Sequence, residues 1–586
     1  MKSLQKLNIF LWKYKWRLLL GFIFTIGANF VQVFSVTYIR EAINTVENLL
    51  ANFNDNSVDG IELLKQGLMY ASLAFLGFKV LGGALTVGTR QMIIVTSRLI
   101  EFDLKNKIYQ HYQHLSLSFY KKNKTGDLMN RITEDVALVR MYLGPGIMYP
   151  VDLVSRVLII GYFMSRVDWD LTLYTLLPLP ILSILIYNVA NRINQRSKKV
   201  QQQQSTISSS VQDTFAGIRV IKSFNTEDYV KANYAIEAEE YQKRALHLSQ
   251  IQAAFGPLMV IVVGVSNLII LYLGGLKYIK GDLDIGAIAE FFLYLNMLIW
   301  PFTSLGWITT VVQRAEASMA RINEFMNYKS EIIDHPDQKV KINGSIEFQN
   351  VSYTYDNTGI QALNNISFQL NKGETLAILG KTGSGKSTIA LLVARLLEPN
   401  EGKILFDGYD MHTISVESIR SQIGYVPQEA FLFSDSLTNN ILFGSDESKE
   451  DVAKQFAQKA VVAENIEGFK EKYNTVVGER GVTLSGGQKQ RVSIARALVN
   501  DPNILIFDDS LSAVDTETEE QILNNLASDL NSKTSIIITH RISSAKNADK
   551  IIYLEDGKIV ETGTHEELLS KKGFYYELYN KQSADS

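Results

Sequence analysis

Six runs of apolar residues in the first half of this 586-residue chain constrain its fold more than any other feature. Residues 18–38, LLLGFIFTIGANFVQVFSVTY, contain no formally charged side chain, and an α-helix needs about 20 residues to cross the hydrocarbon core of a bilayer. Comparable runs lie at roughly 66–87, 146–165, 169–190, 254–276 and 285–311. One such run also suits a helix buried in a soluble protein, but six in succession predict an all-α, six-helix membrane domain. The first run is too long for a signal peptide and lacks a small-residue cleavage site. Lys2, Lys6, Lys13, Lys15 and Arg17 precede it, whereas Asp55, Asp59 and Glu62 follow it. Basic residues collect on the cytosolic side, so the N terminus is expected in the cytosol, and an even number of spans returns the C terminus there. The expected location is the cytoplasmic membrane.

Residues 166–168 leave room only for a tight outer turn, while 88–143 and 191–253 are long, polar and rich in Lys, Arg, Glu and Gln. Helices of about 25 residues in such loops would project roughly 37 Å past the bilayer, as arms toward the second half of the chain. Lys79, Asp152, Arg156 and Glu290 fall inside the predicted spans. Charge at membrane depth usually faces a bundle interior or a water-filled cavity, which suits a solute pathway, although snorkelling near a helix end accounts equally well for Lys79 and Glu290. Asn29, Gln32 and Asn296 suit hydrogen bonds between helices, and Pro257 and Pro301 are expected to bend spans five and six. The chain has no cysteine, which excludes disulfides, thiol catalysis and cysteine-ligated metal. A formal net charge of −3, without a domain-wide basic excess, argues against a nucleic-acid partner.

Beyond a polar connector at about 329–343 the pattern changes to short strands and turns. SIEFQNVSYTY (345–355) partly alternates, ETLAILG (374–380) reads as a buried strand, and TIALLVARLL (388–397) reads as a helix. Between the last two lies GKTGSGKS, residues 380–387, which fits the phosphate-loop pattern G-x-x-x-x-G-K-[ST]. Gly380, Thr382, Gly383, Ser384 and Gly385 supply backbone N–H groups that close around phosphate. Lys386 reaches the β- and γ-phosphates, and the Ser387 hydroxyl ligates Mg²⁺. The helix that starts there, with Thr388 in its first turn, adds the positive end of its dipole. Further on, LSGGQ (484–488) opens another helix, and ILIFDD (504–509) is a buried strand that carries Asp508 and Asp509 at its carboxyl end.

Taken in order, Gly380 to Ser387, Gln428 in YVPQ, LSGGQ, ILIFDD and His540 in SIIITHR resemble the ATP-binding cassette family over residues 344 to about 580. The resemblance implies an α/β P-loop nucleotide-binding domain at 344–586, joined by a linker at 329–343 to a membrane domain at 1–328. It implies that Tyr355 stacks on adenine, that Asp508 holds Mg²⁺ through water, and that Gln428 touches both Mg²⁺ and the attacking water. It further implies that His540 bonds the γ-phosphate. Ser485, Gly486, Gly487 and Gln488 would meet ATP held by a second chain, and Asp515 would lie in the loop that crosses that dimer. Glu479 in TVVGERG, with 119–131 and 214–228 on the arms, resembles the elements that couple the two halves. The whole is similar to a half-size ABC exporter of the multidrug-pump and lipid-flippase kind.

The departure is at Asp509, where most family members place a Glu that orients the attacking water. Asp is one methylene shorter, and a misplacement of about 1 Å can cost about a hundredfold in rate. Two arrangements accommodate it: a homodimer with two attenuated sites, slightly preferred, or a heterodimer in which this chain lends an intact LSGGQ to its partner. The expected function is ATP-driven export of a hydrophobic or amphipathic molecule, a drug or a lipid, from a bundle in contact with membrane lipids. The alternative is a weakly hydrolysing regulatory subunit or an ATP-gated channel. Six spans disfavour a soluble ABC ATPase, and their fusion to the cassette disfavours an importer.

Overall fold

The computed structural model describes residues 2–51, 58–446, 449–478, 484–512 and 514–585. The chain divides into two units, Met1–Gln113 with Gly126–Tyr328, and His114–Thr125 with Lys329–Ser586.

In hydrocarbon, an unpaired backbone N–H or C=O costs several kcal/mol, and a helix pairs them within one segment. The first unit is accordingly helical: α1 (Lys15–Phe34), α2 (Thr37–Ala51), α3 (Val58–His114), α4 (Pro145–Val167), α5 (Trp169–Leu176), α6 (Pro178–Ala216), α7 (Glu227–Ile279) and α8 (Ile285–Met326), with shorter helices between. Among the described residues five helical stretches are long and apolar enough to cross a membrane, at 15–48, 65–114, 125–167, 227–279 and 285–326. The remaining expected run, 169–190, is split into α5 and α6 at Pro178, since proline suits a first helical turn and disrupts an interior one. Side chains 179, 181–183, 186 and 190 lie outside the described set. Helices α7 and α8 run through Pro257 and Pro301 without a break.

The turn between α4 and α5 is Asp168, whose Oδ1 accepts from the Leu171 N–H at 2.7 Å and so caps α5. Lys277 of α7 donates to both Asp168 oxygens at 2.7 Å and joins a third helix to the turn. Helix α3 has 57 residues, about 85 Å at 1.5 Å per residue, far more than a bilayer requires. Along α6 and α7 the buried Gln203 donates to the Glu237 carbonyl at 3.2 Å.

Phe291, Tyr294, Leu295 and Leu298 of α8 pack with Val33, Ile160, Met164, Leu171 and Ile270 as the core of this unit. Beside that core, Glu290 is only 1% exposed, so it does not snorkel. The Tyr294 hydroxyl donates to its Oε1 at 2.7 Å, and Arg40 donates to its Oε2 at 3.3 Å. Arg40 also donates to Asp284 Oδ2 at 2.5 Å. Close approach of α2 and α8 depends on Gly286, where a Cβ would lie 2.5 Å from the Arg40 carbonyl oxygen.

The second unit holds two sheets. The antiparallel one has the order β2-β1-β4-β5, formed by β1 (Ile346–Tyr355), β2 (Ile360–Leu370), β4 (Glu401–Phe406) and β5 (Tyr409–Asp410). The other has the order β10-β9-β3-β8-β7-β6: β3 (Thr375–Gly380), β6 (Ile423–Val426), β7 (Ile504–Asp508), β8 (Thr534–Ile538), β9 (Lys550–Glu555) and β10 (Lys558–Gly563). Its strands are parallel from β9 through β6. Every residue of β7 and β8 is buried, as expected where both faces of a parallel sheet are covered.

Two segments outside the cassette proper are stitched to it. In the connector, Ile333 offers its carbonyl to the fully buried Arg395 at 3.0 Å, Asp334 accepts from Val416 N–H at 2.8 Å, and Val340 N–H donates to Ser418 Oγ at 2.9 Å. The tip of the first arm, a short helix at Leu117–Lys122, also folds with this unit. Ser118 Oγ donates to Glu331 Oε2 at 2.5 Å, and Lys122 pairs with Asp356 at 3.4 Å. Sequence alone assigned that tip to the membrane half, because local composition does not reveal partners more than 200 residues away.

Removing Arg40 leaves Glu290 buried without its cation, a loss worth about 3–5 kcal/mol in comparable sites. Arg40→Met is expected to lower the thermal unfolding midpoint of the detergent-solubilised protein, and adding Glu290→Gln to recover part of the loss. Equal midpoints for Arg40→Met and the parent would show that the pair contributes nothing.

Candidate nucleotide site

Four neighbouring strands, in the order β3-β8-β7-β6, release their carboxyl ends at one edge of the larger sheet. The loop 380–387 follows β3, His540 follows β8, Asp508 ends β7 with Asp509 next after it, and Gln428 follows β6. Ligand sites of open α/β sheets form at that edge. The order of the sheet therefore gathers residues that lie as much as 160 positions apart.

The loop itself needs glycine at two places. Gly380 has φ of 149°, and a Cβ there would lie 2.1 Å from the Leu554 carbonyl oxygen. Gly385 has φ of 100° with Ala362 O at 2.2 Å from the same position. Helix α9 (Lys386–Val393) starts immediately after it, so Lys386 is buried at the helix entry. Its ammonium donates to the carbonyls of Gly380 at 2.9 Å and Lys381 at 2.8 Å. Burial pushes its pKa down to about 8, against the raising effect of Asp509 and Asp508. Ser384 is buried and its hydroxyl has no partner among the described residues, whereas Thr382 and Gly383 are exposed at the loop tip.

Ser387 Oγ donates to Asp508 Oδ1 at 2.8 Å. Burial raises the Asp508 pKa, with Asp509 adding to the rise, while hydrogen bonds from Ser387 and Tyr425 and the charge of Lys386 oppose it. Asp509 adopts a left-handed φ of 47°. That turn aims its carboxylate at Gln428, whose Nε2 donates to Oδ2 at 3.3 Å, while Oδ1 is buried and unpartnered among the described residues. His540 is half-buried. Burial and the charge of Lys386 hold its pKa below the usual histidine value, with Asp509 acting the other way.

These donors suit Mg²⁺, which keeps several waters and takes one or two carboxylates together with substrate phosphates. No group of three or more His, Cys, Asp or Glu among the described residues makes a protein-only cage. A hydroxyl and a carboxylate already in contact, beside an orphaned carboxylate oxygen, fit an ion shared with phosphate.

Other expected residues stand apart from this cluster. Tyr355 ends β1, with its hydroxyl 3.1 Å from Thr388 Oγ1 and its ring 5.1 Å below the Lys121 ammonium of the arm tip. Ser485 caps α10 (Gly486–Leu498) in a reciprocal box: Gln488 N–H donates to Ser485 Oγ at 3.3 Å, and Ser485 N–H donates to Gln488 Oε1 at 3.0 Å. Ser485 and Gly486 are exposed, and neither bonds to the loop 380–387 among the described residues. Asp515 caps α11 (Thr516–Ser532) by accepting from Thr518 N–H at 2.9 Å. Glu479 lies outside the described residues.

Two neighbours of the site escaped sequence reasoning. Tyr425 donates to Asp508 Oδ2 at 3.3 Å. It stands three residues before Gln428, but only the pairing of Tyr425 with Ile506 puts it on the same side of the sheet as Asp508. Arg541, next to His540, donates to the carbonyls of Ser512 and Val514 at 3.2 and 3.3 Å and to the buried Glu519 carboxylate at 2.6 Å. One guanidinium thus ties the loop before Asp515 to the strand end that carries His540.

Phosphate placed beside Lys386 would favour its charged form, so nucleotide binding above pH 8 is expected to be accompanied by proton uptake. Affinity for ATP is expected to fall by up to about tenfold per pH unit above that point, with Lys386→Arg flattening the dependence. In the apo protein, the unfolded chain, near 10.5, binds more protons than the native one between about pH 8 and 10.5. The stability cost of burying this lysine is therefore full below pH 8 and relieved as pH rises. Nucleotide binding measured from pH 7 to 10 checks the first point, and a flat profile in the parent would contradict it.

Residues 18–302 match the family model of the ABC transporter transmembrane region, and residues 363–512 match that of the ABC transporter. The probable multidrug resistance ABC transporter ATP-binding/permease protein YheI of Bacillus subtilis (strain 168) is 36% identical, over 99% of this chain and 97% of its own. The ATP-dependent lipid A-core flippase of Syntrophus aciditrophicus (strain SB) is 32% identical, over 86% of this chain and 84% of its own. A solved structure, that of a bacterial Atm1-family ABC exporter with ATP bound, superposes with a TM-score of 0.79 at 26% identity and covers 97% of this chain and 98% of that one. The chain belongs to the ABC transporter family: it is a half-size ABC exporter, a multi-pass membrane domain fused to an ABC-type ATPase coupled to transport.

Proposed function

We propose that this chain exports a hydrophobic or amphipathic molecule, a drug or a lipid, across the cytoplasmic membrane, with both termini in the cytosol. Half-transporters of this family work as dimers, and a homodimer is the preferred arrangement. The observation that carries the reading is the convergence of Lys386, Ser387, Gln428, Asp508, Asp509 and His540 at one sheet edge, in a chain whose other half is built of helices long enough to span a bilayer. The names of its relatives, multidrug resistance proteins and a lipid flippase, support the substrate class.

In this reading the N–H groups of 380–387 and Lys386 bind the β- and γ-phosphates, with Lys386 exchanging its two loop carbonyls for phosphate oxygens. Ser387, Gln428 and Asp508 would hold Mg²⁺, which when bound would supply charge neutralisation for the transferred phosphoryl group. Asp509 and Gln428 orient the attacking water, and His540, a neutral imidazole, hydrogen-bonds the γ-phosphate. Tyr355 stacks on adenine. Ser485 to Gln488 of one protomer close over the nucleotide of the other, since the cap of α10 leaves the Ser485 hydroxyl hydrogen and the N-terminal N–H groups available to an anion. The arms carry that closure to the spans.

A second reading, a weakly hydrolysing half of a heterodimer or an ATP-gated channel, is favoured by Asp509 alone. Its carboxylate engages Gln428 from one methylene further back than a Glu would.

Lys386→Ala is expected to reduce ATP turnover of the purified protein by at least about a hundredfold, and unchanged turnover would refute the site. Asp509→Glu is expected to raise turnover, because the longer side chain brings its carboxylate nearer the water. A flat or lower rate would mean that the Gln428–Asp509 pair is tuned for Asp. ATP-dependent uptake into inverted vesicles separates export from regulation, and copurification of a tagged chain with a second, similar chain would decide for the heterodimer.

A further inference from the structure

His540 sits in the short turn between β8 and α12 (Ile542–Ala545), and its backbone is held by a residue of α13 (Phe574–Asp585), the last described helix. Gln582 of α13 donates through Nε2 to the His540 carbonyl at 2.6 Å and accepts through Oε1 from the Ile542 N–H at 2.9 Å. One amide thus grips the turn on both sides of Arg541. Arg541 is fixed separately: its N–H donates to Thr539 Oγ1 at 3.0 Å, and its guanidinium holds the carbonyls of Ser512 and Val514 and the buried Glu519 carboxylate.

Gln582 reaches this turn because of the helix face it occupies. The buried Tyr575 and the partly buried Leu578 precede it by seven and four residues, the spacing of one packed stripe. That stripe packs with Leu379 of β3, next to Gly380 of the phosphate loop, and with Ile542 and Ala545 of α12. A Leu or Met in the same place would bury more apolar surface. An amide there is destabilising unless its donor and its acceptor are both satisfied, and the backbone flanking Arg541 satisfies both. The Ile542 N–H opens α12, where no carbonyl of the helix itself serves it, so the acceptor bond is explained as a helix cap. The donor bond to His540 is not needed for capping.

We propose that Gln582 is a positioning residue for His540: α13 fixes the His540 peptide so that the imidazole meets the γ-phosphate, and hydrolysis depends on that hold. The inference rests on the role proposed above for His540 and adds a residue that reaches the nucleotide only through it. A histidine that bonds phosphate acts through placement, and a shift of about 1 Å can cost about a hundredfold in rate.

The full-length protein, purified in detergent, is assayed for turnover at saturating ATP with Mg²⁺ and for ATP affinity without Mg²⁺. Gln582→Met keeps the length of the side chain and removes both bonds. It is expected to lower saturated turnover about tenfold or more, with ATP affinity within about twofold of the parent. His540→Ala should lower turnover at least as far, and adding Gln582→Met to it should cost nothing more. Should Gln582→Met fold poorly, Gln582→Asn carries the test, since it is neutral and one methylene short of both partners. Parent-like turnover in the Gln582 variant, a loss carried by ATP affinity, or a further loss on top of His540→Ala overturns the inference. Parent-like turnover in His540→Ala overturns the role of His540 and this inference with it, whereas a drop there without one in the Gln582 variant overturns this inference alone.

Discussion

An ion removed from water needs a counter-charge or a set of oriented dipoles, and both halves of this chain are arranged around that requirement. In the ATPase half, Lys386 is buried at the entry of α9 and held by two carbonyls of its own loop. Those bonds satisfy the ammonium and leave it beside Asp508 and Asp509, so that a polyphosphate meets a cation already in position. In the membrane half, the Arg40 guanidinium is shared by the carboxylates of Asp284 and Glu290 across α2 and α8, and Asp152 offsets Arg156 within a single helix turn.

The two aspartates that end β7 differ in surroundings more than in chemistry. Asp508 continues the strand and receives hydrogen bonds from Ser387 and Tyr425, which limits the rise that burial imposes on its pKa. Asp509 leaves the strand through a left-handed turn and keeps one oxygen unpartnered among the described residues. The metal-holding and water-orienting roles proposed for them would place these different demands on a carboxylate, and the backbone turn between them separates the two. On the proposed roles, the shorter side chain would act through position rather than charge.

Much of the architecture was legible in the sequence. Strands β1, β3 and β7 and the helix after LSGGQ fall where the patterns put them, because runs of apolar residues and glycine spacing are local properties, whereas the helix expected at 388–397 runs from Lys386 to Val393 and stops before Arg395, whose φ is 49°. The run 18–38 breaks at Ser35 and Val36, and the run 169–190 is divided at Pro178. Run length reports hydrophobicity, whereas helix ends depend on caps and on neighbouring helices. The tip Leu117–Lys122 reads as part of an arm, yet it folds within the same unit as its partners Glu331 and Asp356, residues that no window of sequence brings together. Tyr425 and Arg541 were missed for a related reason: their importance lies in strand register and in backbone carbonyls, neither of which has a residue-type signature.

By itself the sequence determined a membrane-spanning helical half and a phosphate loop, since these follow from run length, spacing and side-chain chemistry, while the grouping of the acids, the amide and the histidine in one ordered set is what the resemblance of its motifs implies. Only the tertiary structure decided that Glu290 and Arg156 are paired, that Lys386 folds back on its own loop and that β3-β8-β7-β6 is the strand order that assembles the site. Those outcomes depend on which distant elements pack together, and burial and charge compensation are properties of that packing.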